Sequence, residues 1–416
     1  MMREMKNSGL EWIRDIPLSW KIQRNKGLFY EVNERCEDGS EYTLLSISEY
    51  TGVTPRSNII KDGEFETHAE SLDGYKICAA GDIVMNIMLA WKRATAVSRF
   101  AGIVSPAYCV YRGKDIDTRY YHYLFRTDVC ADMFKRYSTG IIDSRLRLYP
   151  DVFLSLYSIV PPIEEQHRIA NFLDIACSQI DEAIEQTRAS ITEYKKCRQA
   201  IIDSKIALLK SAGCKYYKLN QIGFLKNGLN YKENRSNNHV KFLGVGCFQD
   251  YMILDNISMF SEIPVDAIPQ DLLLRSGDIV FVRSNGTKDL VGRSIMVDKI
   301  NYPLTYSGFC IRFRNCNHNL VNNKYLLYYF RSEEFKELLK LGSGGTNINN
   351  LSQDVLNSVR IPIPEMDLQV QTVEALDNIQ TQINGIVSTK KRLIMELEAY
   401  KKSLIYEYVT GKKEVM

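Results

Sequence analysis

Apolar residues recur at heptad spacing along a long stretch in the middle of the chain. From Ile169 to Ile201 they are separated mostly by four and three residues in turn, the spacing of a helix that packs against another helix. The prolines at 161 and 162 and the glycine at 213 are typical of the beginning and the end of a helix. The pattern predicts a helix from about Gln166 to Lys210, on the order of 65–70 Å long.

A second stretch later in the chain repeats this pattern. Apolar positions from Val373 to Leu404 have the same spacing, and Gly411 follows them. An offset of 369 − 166 = 203 residues aligns Gln166 with Gln369 and keeps the apolar positions that follow them in register. Such self-similarity indicates an internal duplication. We expect the two helices to pair antiparallel as an intramolecular coiled coil, which would relate the repeats by a pseudo-two-fold axis.

The stretches that precede the two helices predict mixed globules. In the first, Tyr42–Ser48 and Asp82–Met88 indicate strands, and Gly102–Tyr111 indicates a strand pair or a bent strand. Residues 117–137 have helical spacing. The second stretch repeats the sequence Gly-Asp-Ile-Val of positions 81–84 at positions 277–280, so it is expected to repeat the first globule.

These patterns together predict an α+β fold, with two mixed α/β globules separated by two long antiparallel helices. We place the first globule at 1–160, the first helix at 161–212, the second globule at 213–360 and the second helix at 361–416. Two related globules on a spacer suit a long ligand of two-fold character, such as duplex DNA. They also offer equivalent docking surfaces to a partner that is present in two copies.

The composition of the chain argues against several classes of protein but does not identify one. The 416 residues carry a net charge of +3, which permits an anionic partner but does not require one. Ten cysteines are scattered singly, without a C-x-x-C pair, so they indicate neither a zinc site nor a disulfide framework. The sequence shows no signal peptide and no apolar run long enough to span a bilayer. We therefore expect a cytoplasmic protein that does not contact a membrane.

Motifs of catalysis are either missing or weak. The chain has no nucleotide-binding P-loop and no pair of histidines with metal-ligand spacing. Phe242–Gly246 matches the F-x-G-x-G loop of adenosylmethionine-dependent methyltransferases, but the [DN]-P-P-[YF] tetrapeptide of those enzymes that act on amines is absent. A tight turn explains these two glycines better. The sequence predicts no catalytic residue, no bound metal and no cofactor in this chain.

Basic and polar loops with neighbouring aromatic residues remain as the candidate functional residues. Arginine, lysine and asparagine on loops can contact base edges or phosphates. Ordinary solvation of surface loops is the alternative explanation for their polarity. The candidates for DNA contact are Trp91, Lys92, Arg93, Arg99, Arg145 and Arg147 in the first globule, and Arg283, Ser284, Asn285, Thr287, Lys288, Arg293, Thr346 and Asn347 in the second.

A series of motifs in a fixed order supports DNA contact further. In chain order they are Gly9–Trp12, Ile16–Trp20, Gly81–Asn86, Gly102–Tyr108, Arg145–Leu148 and Pro161–Ala170. Taken together, they resemble the specificity subunits of type I restriction–modification systems over nearly the whole chain. The second repeat departs from this pattern, because its globule has no tryptophan-rich start and its helix entry lacks the Glu-Gln pair.

The resemblance implies a DNA-recognition subunit without a catalytic site of its own. Each globule would be a target-recognition domain that reads one half of a bipartite sequence in double-stranded DNA, and the two helices would set the spacer. The subunit would recruit two adenine-N6 methyltransferase subunits and, in the full complex, restriction (translocase) subunits. Adenosylmethionine, ATP and magnesium would belong to those partners.

Apolar residues beside the heptad seam of the first helix are candidates for docking the methyltransferase subunits. They are Phe172, Ile201, Ile202 and Leu208. Closure of the helix against the globules of this chain is an equal alternative for them. For the whole chain, the alternatives are the specificity chain of a related fused restriction/methylation enzyme and a coiled-coil scaffold that binds only proteins.

Overall fold

The computed structural model describes residues 3–58, 71–230, 238–248, 252–255, 260–265, 268–286, 290–342 and 350–415. The chain divides into two compact units. Unit 1 comprises Met1–Thr187 and Lys391–Met416, and unit 2 comprises Arg188–Lys390. Both unit boundaries fall inside long helices, so each unit contains one globule and a part of each helix.

The elements of the first globule and the first long helix are, in chain order, β1 (Met5–Leu10), β2 (Ile13–Pro17), β3 (Lys21–Arg24), α1 (Asn25–Leu28), β4 (Phe29–Val32), β5 (Leu45–Ser48), β6 (Gly52–Pro55), β7 (Lys76–Cys78), β8 (Ile83–Asn86), β9 (Thr95–Val97), β10 (Gly102–Val104), β11 (Tyr108–Gly113), α2 (Thr118–Phe125), α3 (Asp128–Tyr137), α4 (Pro150–Ser155), β12 (Tyr157–Val160) and α5 (Ile163–Ser211).

The elements that follow are β13 (Lys215–Lys218), α6 (Leu219–Ile222), β14 (Gly223–Asn227), β15 (His239–Leu243), β16 (Ile253–Leu254), β17 (Ser261–Pro264), β18 (Ile279–Val282), β19 (Ser294–Val297), β20 (Leu304–Tyr306), β21 (Cys310–Asn315), α7 (Asn323–Phe330), α8 (Glu333–Gly342), α9 (Gln353–Ser358), β22 (Arg360–Ile363) and α10 (Met366–Val409).

Unit 1 is built around an antiparallel sheet of four strands in the order β4-β11-β8-β9. One face of the sheet packs against α2, α3 and α4 through buried aromatic rings, among which Tyr111 and Phe153 lie 4.6 Å apart between centroids. The other face packs on a smaller core that contains Val84 and Val110. Because strand residues alternate between faces, this sheet separates the two cores.

The helical spacing over 117–137 is confirmed, but it belongs to two helices. Helix α2 (Thr118–Phe125) is capped by Asp117, whose side chain accepts a hydrogen bond from the backbone N–H of Arg119. The Thr127 side chain accepts from the backbone N–H of Cys130 and starts α3. A hydroxyl that caps a helix in this way fixes a new N-terminus, which the apolar spacing alone does not reveal.

The expected antiparallel pairing of the long helices is observed in unit 1. In unit 1 the rings of Phe172 and Tyr408 lie 4.5 Å apart, and Lys401 Nζ lies 2.6 Å from Asp181 Oδ2. The residue numbers rise on α5 as they fall on α10. In unit 2, the two helices are in contact where Lys390 Nζ lies 5.7 Å from the ring centroid of Tyr194.

Unit 2 contains a five-stranded sheet in the order β14-β21-β18-β19-β16 and a three-stranded sheet in the order β17-β15-β20. Helices α7, α8 and α9 cover the first sheet, as α2, α3 and α4 cover the sheet of unit 1. The α+β fold class is therefore confirmed, with a mixed globule in each unit and long paired helices.

The duplication extends to individual hydrogen bonds at the start of each long helix. In unit 1, Gln166 Oε1 accepts from the backbone N–H of Asp117 at 3.0 Å, and Gln166 Nε2 donates to the Pro161 carbonyl at 2.9 Å. In unit 2, Gln369 Oε1 accepts from the N–H of Asn322 at 2.9 Å, and its Nε2 donates to the Pro364 carbonyl at 2.8 Å. Each glutamine joins the start of a long helix to the cap of α2 or α7.

A tyrosine on α2 and another on α7 support the same junction. Tyr123 donates its hydroxyl to Asp174 on α5 at 2.8 Å, and Tyr328 donates to Asp377 on α10 at 2.6 Å. The 203-residue offset read from the sequence relates Asp174 to Asp377 as it relates the two glutamines. The repeats therefore share the contacts that attach each globule to its helix.

Candidate nucleic-acid interface

The β8–β9 turn of unit 1 presents an aromatic ring that has two cations close to it. Trp91 is half-buried, and its Nε1–H donates to the Met88 carbonyl at 3.1 Å. The ammonium groups of Lys92 and Lys135 lie 5.1 Å and 4.8 Å from the centre of the Trp91 ring. Cations at this distance are attracted to the face of an indole ring. The turn therefore holds positive charge at a defined place.

Arg93 closes this turn in a left-handed backbone conformation, with φ of 66°. Such a conformation is uncommon for a residue with a side chain. It is held by the buried guanidinium of Arg126, which donates to the Arg93 carbonyl at 2.9 Å. Burial lowers the pKa of Arg126 to about 10. The Arg93 side chain forms an ion pair with Asp128, so part of its charge is already neutralised.

A second loop, residues 138–148, lies beside the first. The backbone N–H of Leu148 donates to the Ile87 carbonyl at 2.9 Å, and Lys135 forms an ion pair of 2.9 Å with Asp143 of this loop. Arg145 is exposed, whereas Arg147 is half-buried. One terminal nitrogen of Arg147 is buried and has no hydrogen-bond partner among the described residues. The structure thus brings the predicted Trp91, Lys92, Arg145 and Arg147 to neighbouring loops.

Arg99 lies apart from this group. It follows β9, whereas Arg93 precedes that strand, so the two arginines stand at opposite ends of it. The guanidinium of Arg99 is 79% exposed and lies 4.0 Å from Asp174 on α5. Arg119 forms an ion pair with the same aspartate at 3.1 Å. The structure therefore places Arg99 near the long helix and away from the Trp91 turn.

Unit 2 has an equivalent turn between β18 and β19. Arg283, Ser284 and Asn285 follow β18 and are half-buried, and Arg293 precedes β19, with a guanidinium nitrogen 3.1 Å from the Phe248 carbonyl. The backbone of Arg283 also bonds the loop after α8, because Leu351 N–H donates to its carbonyl at 2.8 Å. The predicted residues Thr287, Lys288, Thr346 and Asn347 lie outside the described residues.

Exposed apolar residues lie beside these cations, and the charge pattern of the sequence did not predict them. In unit 1, Ile141 is 97% exposed and Ile142 is 53% exposed, both in the second loop. In unit 2, Phe309 is 63% exposed, and its carbonyl accepts from the N–H of Arg283 at 2.8 Å. Two adjacent isoleucines after Gly140, outside any periodic stretch, are the sequence signal that could have pointed to them.

The apolar residues proposed for docking a partner differ in their surroundings. Ile202 is 4% exposed and belongs to the core of unit 2, so its assignment to a docking surface is corrected. Ile201 packs on the same core, and Phe172 packs on Tyr408. Leu208 is 64% exposed on α5. The globules therefore cover residues of α5 that lie outside its heptad seam. Of the four residues proposed for docking, only Leu208 is largely exposed.

Neither a membrane-spanning helix nor a metal-binding cluster is found among the described residues. No helix among them is long and apolar enough to cross a membrane. Among the same residues, no group of three or more histidine, cysteine, aspartate or glutamate side chains is arranged to hold a metal ion.

Comparison with known proteins finds a family that is similar to the second half of the chain. Residues 213–398 match the family described as the type I restriction modification DNA specificity domain. This stretch of the chain is similar to the DNA specificity domain of type I restriction–modification systems. The match covers the second globule and most of α10, and the duplicated contacts extend the same plan to unit 1.

Three curated relatives have similar sequences. The StySPI specificity subunit of Salmonella potsdam is 23% identical over 194 residues, 44% of this chain and 40% of that subunit. The EcoKI specificity subunit of Escherichia coli is 24% identical over 195 residues, again 44% and 40%. The match therefore spans two fifths of the length of these two relatives. The MjaVIII specificity subunit of Methanocaldococcus jannaschii is 24% identical over 366 residues, 80% of this chain and 81% of that subunit.

Two solved structures share the fold. A chain from a type I R-M system has a TM-score of 0.69 at 16% identity, covering 96% of this chain and 99% of that chain. The HsdS subunit from Thermoanaerobacter tengcongensis has a TM-score of 0.50 at 16% identity, covering 96% and 98%. At this identity the likeness concerns the fold alone.

Proposed function

We propose that this chain selects the DNA sequence on which a type I restriction–modification complex acts. Each globule reads one half of a bipartite site in double-stranded DNA, through the β8–β9 turn and its neighbouring loop in unit 1 and the β18–β19 turn in unit 2. The observation that carries the proposal is the repetition of these turns on duplicated supports. In both units a buried glutamine, Gln166 or Gln369, joins the globule to its long helix.

The long helices serve as the spacer and as the docking surface for two adenine-N6 methyltransferase subunits, and through them for restriction subunits. Leu208 supports the docking role, because it is a large apolar side chain that is 64% exposed on α5. Adenosylmethionine, ATP and magnesium are cofactors of those partners, and this chain is non-catalytic. The ten cysteines are free thiols, as is usual for a protein that functions in the reducing cytoplasm.

Selection of duplexes from a random pool tests the proposal. The full chain is incubated with the pool, alone and together with its methyltransferase subunit, and the retained duplexes are sequenced. The proposal expects enrichment of a motif with two defined halves and a gap of fixed length. If neither condition enriches any sequence, the chain does not select DNA, and a scaffold that binds only proteins becomes the better account.

A further inference from the structure

The loop of residues 138–148 projects from unit 1 and carries apolar side chains at its tip. The backbone at Ile142 is extended, with φ of −130° and ψ of 153°. Neighbouring side chains on extended backbone point to opposite sides. Ile141 and Ile142 are nevertheless both exposed, at 97% and 53%. A segment that is exposed on both sides stands clear of the globule.

The loop is braced at its base and across its width. Thr139 and Arg147 exchange two backbone hydrogen bonds of 2.9 Å and 3.0 Å, as a pair in an antiparallel ribbon does. Across the loop, a Cβ atom on Gly140 would lie only 2.6 Å from the Arg145 carbonyl oxygen. Glycine is therefore required where the two arms approach. This bracing holds the tip in one place.

The surroundings of the tip indicate the kind of partner. Arg145 in the same loop is exposed, and Lys92 and Lys135 flank the adjacent Trp91 ring. Two exposed isoleucines in one loop are far less than the apolar patch of several hundred Å² that marks a protein-binding surface. Cations around a small apolar tip fit a polyanion that carries apolar groups inside a groove.

Duplex DNA offers that combination in its major groove. The groove is about 12 Å wide and admits a two-stranded ribbon, and the C5-methyl group of thymine is the apolar group exposed there. We propose that Ile141 and Ile142 enter the major groove and contact thymine methyl groups. This contact gives unit 1 a preference for T·A pairs within its half-site. The inference rests on the proposed function and adds a specificity determinant to it.

Replacement of thymine by deoxyuridine tests the contact, because it removes only the methyl group. Thymines in the half-site of an enriched duplex are replaced one at a time, and binding of the full chain is measured. We expect at least one replacement to weaken binding about fourfold, the equivalent of about 0.8 kcal/mol for one buried carbon group. The doubly substituted variant Ile141→Ser, Ile142→Ser should bind the thymine and deoxyuridine duplexes equally.

Ile175→Ser provides a matched control, because Ile175 is an isoleucine on α5 that is 63% exposed. This variant should retain the fourfold discrimination. The inference is overturned if no thymine in the half-site is sensitive, if the half-site contains no thymine, or if the double variant still discriminates. Those outcomes leave the proposed function intact, since they presuppose an enriched duplex. Failure to enrich any duplex would instead overturn both.

Discussion

The buried glutamine at the start of each long helix should carry a large share of the stability of its unit. Gln166 is 2% exposed, and both ends of its amide are hydrogen-bonded to backbone groups of other elements. The substitution Gln166→Leu keeps the size of the side chain but leaves the N–H of Asp117 and the carbonyl of Pro161 without these partners. A buried polar group without a partner costs about 1–3 kcal/mol, so the variant should lose roughly 2–6 kcal/mol.

Urea unfolding followed by tryptophan fluorescence measures this loss in unit 1. The three tryptophans of the chain, Trp12, Trp20 and Trp91, all belong to that unit. With a denaturant slope of about 2 kcal/mol per molar urea, a loss of 2 kcal/mol lowers the midpoint by about 1 M. Gln369→Leu is the corresponding change in unit 2, which is followed by circular dichroism because that unit has no tryptophan.

Gln186→Leu is the matched control, since Gln186 is exposed and its amide donates to Glu182 on the same helix. It should change the free energy of unfolding by no more than about 0.5 kcal/mol. If Gln166→Leu shifts the midpoint no further than this control, the glutamine does not hold the globule to its helix. The contact-level account of the duplication would then be wrong.

Three further substitutions test other parts of the structure. Asp278→Ala breaks an ion pair of 2.6 Å with Arg314, in which the Asp278 side chain is 1% exposed and the Arg314 side chain 15% exposed. We expect the free energy of unfolding, measured in urea, to fall by about 3–5 kcal/mol. Asp271→Ala breaks an exposed ion pair with Lys226 and should lower the free energy of unfolding by less than about 1 kcal/mol. If Asp278→Ala and Asp271→Ala lowered it equally, burial would not explain the strength of the first ion pair. Burial, together with the nearby cations Arg126, Arg99 and Lys401, lowers the pKa of His122 to about 3 in the folded chain. Between about pH 6.5 and pH 3, the unfolded chain therefore carries a proton on His122 that the folded chain does not. Stability from His122 is complete above pH 6.5 and is lost as pH falls toward 3, by at most about 2.7 kcal/mol at pH 4.5. His122→Asn should flatten this part of the pH profile of unfolding, and parallel profiles would contradict the assignment.

Periodic features were predictable from the sequence because they depend on spacing alone. The heptad pattern predicted both long helices, which the structure places at Ile163–Ser211 and Met366–Val409. The 203-residue offset predicted the duplication, and the equivalent bonds of Gln166 and Gln369 confirm it. Local periodicity also predicted the helical stretch over 117–137, although the break at Thr127 depends on one capping hydroxyl.

Contacts between distant parts of the chain were not predictable in the same way. In the first turn of α5, Glu165 accepts a hydrogen bond of 2.9 Å from the Trp20 indole and pairs with Arg3, contacts that helical spacing does not reveal. The second repeat has neither this glutamate nor a tryptophan at its start, so both partners of this hydrogen bond are missing from it. A contact of this kind joins two residues that are far apart in the sequence, so neither residue indicates it by itself.

The candidate site was predictable in composition and less so in arrangement. Charge and loop position pointed to Trp91, Lys92 and Arg145, which the structure gathers on neighbouring loops. They pointed equally to Arg99, which stands at the other end of β9. For the helix, a heptad seam gives one buried face, but Ile202 is buried because the globule of unit 2 covers a further face of α5.

The most direct test of the central claim compares the motifs enriched from a random duplex pool by the wild-type chain, Arg145→Ala and Arg283→Ala. These arginines belong to the candidate loops of unit 1 and unit 2, respectively. If each globule reads one half-site, the wild-type motif has two halves and each variant relaxes the sequence of a different half. A uniform loss of affinity on all sequences would mark an arginine as a phosphate contact. Relaxation of the same half by both variants would contradict the division of DNA reading between the two globules.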